Sequence, residues 1–320
     1  MTRKVPRPRE HQLPALTPEL VLDALKRLRL EKGVPVASET DWPHKGSLWD
    51  NPDWRRYVAS SAPRFARTLR WLSGLVGPEA RVLELGCSPF AFTYLLHRAF
   101  RCKIAGVSFE PRRLDVWPGS EHETSASEVA LDDGEERLAI PLWTVNVERQ
   151  PLPFADSSFD LVLCHEILEH LLHDPSFMLR EANRVLSEGG LLSITTPNAL
   201  RLSHFAFHLL NRNPADKYSR SGPYLRHNRE YALAEVKGLL EACNFRVVRG
   251  ELVNHVQEQL AAGRALTFAV RAAKLATTDL PLPYLKNKRD HIFVLAEPCG
   301  PPEAGKPAWL FSSPDDEILG

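Results

Sequence analysis

Short apolar runs alternate with helical patterns from Arg81 onward. Residues 81–86, 103–108, 142–147, 159–164 and 190–196 are dense in Val, Leu and Ile and are bounded by turn formers, which predicts buried strands. Between them, residues 89–100 and 175–186 repeat apolar side chains at helical spacing, and Gly189 with Gly190 turns the chain into the fifth strand. A helix over 230–243, strands at 245–248 and 291–296, and a helical insert near 256–275 complete the series. Strands alternating with helices imply an α/β fold with a parallel sheet. Residues 111–137 break the rhythm: they are polar, carry acidic runs and have few apolar anchors, so they read as a long irregular connection holding one short helix at most.

Upstream, Thr17-Pro18-Glu19 has the form of an N-cap with proline in the first helical turn. The helix it opens carries Leu20, Val21, Ala24, Leu25 and Leu28 on one face and is expected to end near Gly33. Helical periodicity resumes over 53–75 through Trp54, Tyr57, Val58, Phe65, Leu69 and Leu72. The organisation is therefore a disordered leader (1–16), a helical extension (17–75), a main domain (76–297) and a Pro-rich tail (298–320). The main domain carries a lid insert at about 199–229 and a helical insert at about 252–289. Trp42, Trp49 and Trp54 clamp the extension onto the main domain, or alternatively pave a pocket.

Composition narrows the partners. Lys and Arg number 40 against 40 Asp and Glu in 320 residues, so no global field draws the chain to nucleic acid or to an anionic membrane. Five cysteines, at 87, 102, 164, 243 and 299, show no CxxC spacing, which argues against a disulfide framework and a zinc knuckle and fits a reducing cytoplasm. The basic N-terminus is not followed by an apolar signal segment, and no run of about 18 apolar residues is present to span a membrane.

The chemistry gathers at strand ends. In RVLELGCSPFAFT, from Arg81, a buried strand enters a turn at Gly86 and then a helix, with Glu84 placing a carboxylate near the strand's end. TVNVERQPLPFADSSFDLVL then holds a strand ending at Asn146, a rigid Leu152-Pro153-Phe154 turn and the next buried strand. CHEILEHL, RVLSEGGLLSITTPN and RHNREYALAEVKGLLEACNFRVV follow in order.

Together these segments resemble the class I S-adenosylmethionine-dependent methyltransferases, in particular those with an LPF turn, an LEHL segment and a TPN strand end; the resemblance covers about 81–249. It implies a Rossmann-like sheet of seven strands, mostly parallel with one antiparallel, and methyl transfer from the sulfonium cofactor. By the same resemblance Glu84, Gly86, Cys87 and Ser88 line the methionine and ribose part of the cofactor, Asn146 and Val147 meet adenine, and His165 lies beside the methionine portion. Two departures stand out. Ser88 and Phe90 occupy positions where the family has glycine, and Ser108 stands where an acid commonly holds the ribose, leaving Glu110 as its substitute.

Read as a helix, HEILEH puts Glu166, Glu169 and His170 on one face, with His165 off it. The order fails the HExxH zinc pattern, yet two carboxylates and an imidazole, with His227 as a distant fourth ligand, suit a divalent ion. This segment is locally similar to metal-dependent O-methyltransferases of ubiquinone synthesis and of small-RNA ends. Without metal, His170 and Glu169 are the candidate catalytic pair, or else ordinary structural residues. In the lid, Arg212, Lys217, Arg220, Arg226 and Arg229 outnumber Asp216 and Glu230, which suits an anionic acceptor or a solvated surface. The expected activity is O-methylation of a sugar, glycan precursor or other hydroxylated metabolite. The alternatives are an RNA-end or other nucleic-acid methyltransferase and a catalytically inactive cofactor-binding scaffold.

Overall fold

The computed structural model describes residues 16–30, 46–47, 49–108, 124–218, 223–254, 287–302 and 309–310. Most of the leader, of the helical insert and of the tail, with Trp42, Glu110 and Arg220, lie outside the described residues. The chain divides into two compact units, Met1–Asn146 with Asn254–Asp279, and Val147–Val253 with Leu280–Gly320.

In the first unit, helix α1 (Pro18–Arg27) opens as its sequence implies: Thr17 Oγ1 accepts the Leu20 N–H at 3.3 Å and Pro18 stands in the first turn. It stops before Gly33, because Leu28 is extended and Arg29–Leu30 form strand β1, paired with β2 (Gly46–Ser47) and β5. Helix α2 (Pro52–Leu72) buries Val58, Ala62, Phe65, Leu69 and Leu72, and Lys26 of α1 lies over the Trp49 ring. Strand β3 (Arg81–Leu85), helix α3 (Ala91–Phe100) and strand β4 (Lys103–Ser108) follow.

The segment expected to be irregular contains strand β5 (Ser125–Asp132), which forms an antiparallel hairpin with β6 (Arg137–Thr144). Val129 and Leu131 are buried, while Asp133 Oδ1 accepts the amides of Glu135 and Glu136 at 2.9 and 2.8 Å. The acidic run is thus the hairpin turn, with Gly134 at positive φ, and Asp-Gly was its sequence signal. Strand β6 also starts earlier than the expected 142–147 and ends before Asn146. Strand order here is β2-β1-β5-β6-β4-β3, with β3, β4 and β6 parallel. The β5, β1 and β2 edge extends the wound sheet with antiparallel strands.

The second unit holds β7 (Phe159–His165), α4 (Pro175–Val185), β8 (Leu186–Pro197), α5 (Leu202–Leu209), α6 (Leu233–Ala242), β9 (Phe245–Val253) and β10 (His291–Pro298). Strand order is β7-β8-β10-β9; β7 and β8 are parallel, and β10 is antiparallel to both of its neighbours. The LPF turn is strapped to α4. Glu181 accepts the Leu152 N–H at 2.7 Å, and Arg184 donates to the carbonyls of Leu152 and Phe154 at 2.9 and 2.8 Å. The fold is a mixed α/β, Rossmann-like one with a mostly parallel wound core, as expected. No helix among the described residues is long and apolar enough to cross a membrane.

The reading of HEILEH as one helix is corrected. The chain stays in strand β7 to His165, which pairs with Thr195, turns at Glu166 with φ 57°, and makes only a 3₁₀ turn over Leu168–His170. The shared helical face of Glu166, Glu169 and His170 therefore does not exist. Long-range pairing with β8 holds His165 extended, and a left-handed residue ends the strand. Such a conformation costs a non-glycine residue roughly 1–2 kcal/mol. Two hydrogen bonds from and to Thr195 hold it: Glu166 N–H to the Thr195 carbonyl and Thr195 Oγ1 to Glu166 Oε1, both 2.8 Å.

Candidate functional site

The first unit supplies a backbone-built loop. Glu84 is 4 % exposed on β3; its Oε2 accepts the Thr93 hydroxyl at 2.6 Å, and burial pushes its carboxyl up to about 8. Gly86 turns at φ 75°, and the amides of Gly86 and Cys87 both donate to the Val107 carbonyl, at 2.8 and 3.1 Å. Gly106 on β4 makes room for this loop, since a Cβ there would lie 2.6 Å from Cys87 Sγ; sequence reasoning missed that residue. The Cys87 thiol is raised by burial and then by Glu84, which leaves it inert as a nucleophile.

Phe90 resolves one family departure. It has φ 66°, the left-handed conformation natural to glycine, and its ring is buried. The loop therefore keeps a glycine-like path despite the larger residue. No side chain caps α3 at Phe90, and the Ser88–Pro89 peptide is cis. Asn146 follows β6, after Val145 donates to the Ser108 carbonyl at 3.1 Å.

The second unit supplies a side-chain cluster at the carboxyl ends of β7 and β8. One ligand atom each of Glu169, His170 and His227 lie within 4.8 Å of one another. Glu169 is fully buried: Oε2 accepts the Thr196 hydroxyl at 2.8 Å, while Oε1 has no hydrogen-bond partner and faces His170 Nε2 at 4.0 Å. Burial first, and the nearby Glu166 charge second, raise the Glu169 carboxyl. His170 Nδ1 lies 2.9 Å from the Arg226 carbonyl, a geometry that puts the ring proton there and leaves Nε2 as an acceptor. His227 Nδ1 sits 2.7 Å from Glu230, and the two rings meet edge to face at 5.1 Å. Burial lowers the His170 pKa, helped by the His227 charge. For His227 burial acts in the same downward sense, but the Glu230 hydrogen bond and the Glu169 and Asp216 charges outweigh it, so the net shift is upward.

Glu166 leaves the expected ligand set: its carboxylate binds Thr195 and faces His291 Nε2 at 3.3 Å. His227, expected to be distant, is instead one of the three closest donors. His165 also stays apart, with Nε2 3.0 Å from Ser193 Oγ, and Val147 is half-buried ahead of the LPF turn. In the lid, Arg226 stacks on Tyr218 at 4.5 Å and Arg229 pairs with Glu235 at 2.9 Å, while Arg212 and Lys217 stay exposed. The roles of Thr196, Glu230 and Arg201 were missed; the TTPN and HNRE strings were their only sequence signal.

A strand-turn-helix loop with a buried carboxylate, in a Rossmann-like α/β fold, is an arrangement at which wound α/β proteins bind nucleoside cofactors. A family model described as a methyltransferase domain matches residues 83–194, and a second with the same description matches 144–267. Residues 83–267 thus form a methyltransferase domain of the class I S-adenosylmethionine-dependent family, whose cofactor is S-adenosylmethionine. The chain is 28 % identical over 142 residues to a sarcosine/dimethylglycine N-methyltransferase of Halorhodospira halochloris, covering 44 % of this chain and 46 % of that protein. It is 34 % identical over 96 residues to a probable S-adenosylmethionine-dependent methyltransferase of Mycolicibacterium smegmatis, covering 30 % and 32 %. The chain thus matches less than half the length of these curated relatives. A solved complex of the Haloferax volcanii Trm112 activator with a putative methyltransferase is similar at 13 % identity and TM-score 0.47, covering 80 % of this chain and 96 % of that one.

The first unit's residues fit such a cofactor. Burial raises the Glu84 carboxyl against the lowering Thr93 hydrogen bond, with no cation among the described residues contributing, so a cofactor that carries its own ammonium and sulfonium would meet no competing positive charge there.

Proposed function

We propose that this protein moves the methyl group of S-adenosylmethionine to an oxygen of a hydroxylated small molecule, with a sugar, glycan precursor or related polyhydroxy metabolite as the acceptor class. The observation that carries this reading is the buried, unpartnered Glu169 Oε1 facing two imidazoles. The cofactor supplies an electrophilic methyl on a sulfonium and leaves as a neutral thioether, so leaving-group protonation is not needed. The nucleophile is where help is required, because a hydroxyl attacks poorly while it keeps its proton.

Glu169, His170 and His227 are the residues that would hold a divalent cation, and one bound there would lower the pKa of an acceptor hydroxyl. Their donor set, one carboxylate oxygen and two imidazoles, suits a borderline metal. Both rings are oriented through Nδ1, by the Arg226 carbonyl and by Glu230, the usual support for metal-binding histidines. Without an ion, His170 Nε2 is the proton acceptor, its ring oriented by the Arg226 carbonyl on Nδ1, and Glu169 stands beside it to balance the charge. Positioning the hydroxyl about 3 Å from the methyl carries most of the remaining rate. Exposed Arg212 and Lys217 suit an anionic group on the acceptor.

A second reading, N-methylation, is favoured by the relative named for sarcosine and dimethylglycine. A neutral amine already offers its lone pair and has less use for this cluster. The test is methyl transfer from labelled cofactor to a panel of sugars, sugar phosphates and secondary amines, before and after chelation. Transfer to hydroxyl acceptors, lost on chelation and restored by Mn²⁺, supports the ion-assisted reading. Transfer confined to amines overturns the oxygen acceptor.

A further inference from the structure

We propose that Glu230 is a positioning residue that fixes the His227 imidazole and ties its order to helix α5, an inference that rests on the cation site proposed above. His170 and His227 are oriented differently. The His170 proton is held by the backbone carbonyl of Arg226, whereas the His227 ring is held at 2.7 Å by the Glu230 carboxylate. A proton kept on Nδ1 leaves the Nε2 lone pair for an ion, so Glu230 decides which nitrogen His227 presents.

Glu230 is itself clamped from α5. Both terminal guanidinium nitrogens of Arg201, the N-cap residue of α5, bind it, one of them at 2.9 Å, and His204 Nε2 lies 3.6 Å away. The Arg201 and Glu230 side chains are only 14 % and 12 % exposed, so water screens the pair weakly. Arg201 also donates to the Asn198 carbonyl at 3.2 Å, at the end of β8. The Leu202 N–H also bonds the Lys288 carbonyl at 2.9 Å at the start of this helix. Its start has no side-chain cap, Ser203 is its one buried residue, and Phe205 and Leu209 face solvent. A chain of polar contacts therefore runs from α5 through Arg201 and Glu230 to His227. A divalent cation that fixes His227 fixes Glu230 and, with it, the start of α5.

The test uses the full-length protein with Mn²⁺ alone as the probe. Wild type should bind Mn²⁺, and amide exchange over residues 202–209 should slow on binding. Glu230→Leu should weaken binding about 10–100-fold. It should also remove the slowing at saturating Mn²⁺. Glu230→Gln keeps an acceptor and should lose less, and it serves as the deciding variant where the leucine protein does not fold. Independently of any metal, nitrogen NMR of labelled histidine, at a pH high enough to deprotonate the imidazolium, should find one neutral His227 tautomer, protonated at Nδ1, in wild type and a mixture in Glu230→Leu. No Mn²⁺ binding by wild type sinks the cation site, and the tautomer then decides the role of Glu230. Wild-type affinity, exchange and tautomer in both variants overturn the role of Glu230.

Discussion

Glu84, near the end of β3, and Glu169, in the turn beyond β7, are the same residue in nearly the same predicament. Each is fully buried, each accepts one threonine hydroxyl, at 2.6 and 2.8 Å, and burial raises each carboxyl above its ordinary range. Their surroundings differ. Glu84 sits in an apolar loop shaped by backbone, with buried Cys87 and Phe90 nearby, whereas Glu169 has two imidazoles and a second carboxylate around it. A lone buried acid is suited to a ligand that brings its own positive charge. A buried acid among histidines is suited to moving a proton or holding an ion. On the function proposed above, the contrast separates a loop built by main chain, offered to the cofactor, from a cluster built by side chains, offered to the acceptor.

The largest effect should come from breaking the main-chain half. Gly86→Arg forces a side chain into a left-handed position at the turn, and calorimetry with the demethylated cofactor should find no measurable binding in a protein that stays folded. Unchanged affinity would remove this loop from the cofactor site. Next comes the side-chain half: His170→Ala should cut turnover about 100-fold or more. Cofactor affinity should stay within about twofold, because the methyl donor does not depend on the acceptor's base. A normal rate takes His170 out of the mechanism.

The two acids can also be told apart by titration. Glu84 ionises near 4.5 when unfolded and near 8 when folded. Between those values the unfolded state has released a proton that the folded state keeps, so stability falls as pH rises through the window and levels off above it. The slope is about 1.4 kcal/mol per pH unit. Glu84→Gln should remove that share of the slope in urea denaturation at pH 5, 6, 7 and 8, leaving the share of the raised Glu169 carboxyl, and an unaltered slope would mean Glu84 is charged in the apo protein. The smallest effect expected is at Phe90: Phe90→Gly relieves roughly 1–2 kcal/mol of left-handed strain. It gives up about 3–5 kcal/mol of buried ring. The net loss of about 2 kcal/mol should appear as a lower melting temperature with cofactor binding retained.

The legible parts were those where neighbouring residues act together. The Thr17 cap, the β3 run into Gly86 and the LPF turn each declare themselves within a few positions, and each adopts its expected form. The errors came where a distant partner overruled local pattern. Residues 125–132 looked too polar for a strand until β6 paired with them. Glu166 and Glu169 looked like helix neighbours until β8 held His165 extended. The departure at Phe90 looked like a stiffer loop, yet burial of its ring keeps the glycine-like backbone in place.

The amino-acid order by itself determined the alternation of strands and helices, the turn that follows β3 and the family, because apolar periodicity and turn chemistry are local properties of a chain. Only the tertiary structure decided that His227 joins Glu169 and His170 while Glu166 turns to Thr195 and His291. Which side chains converge is set by sheet register and by the left-handed turn at Glu166, and register is fixed by hydrogen bonds to strands that lie far away in sequence.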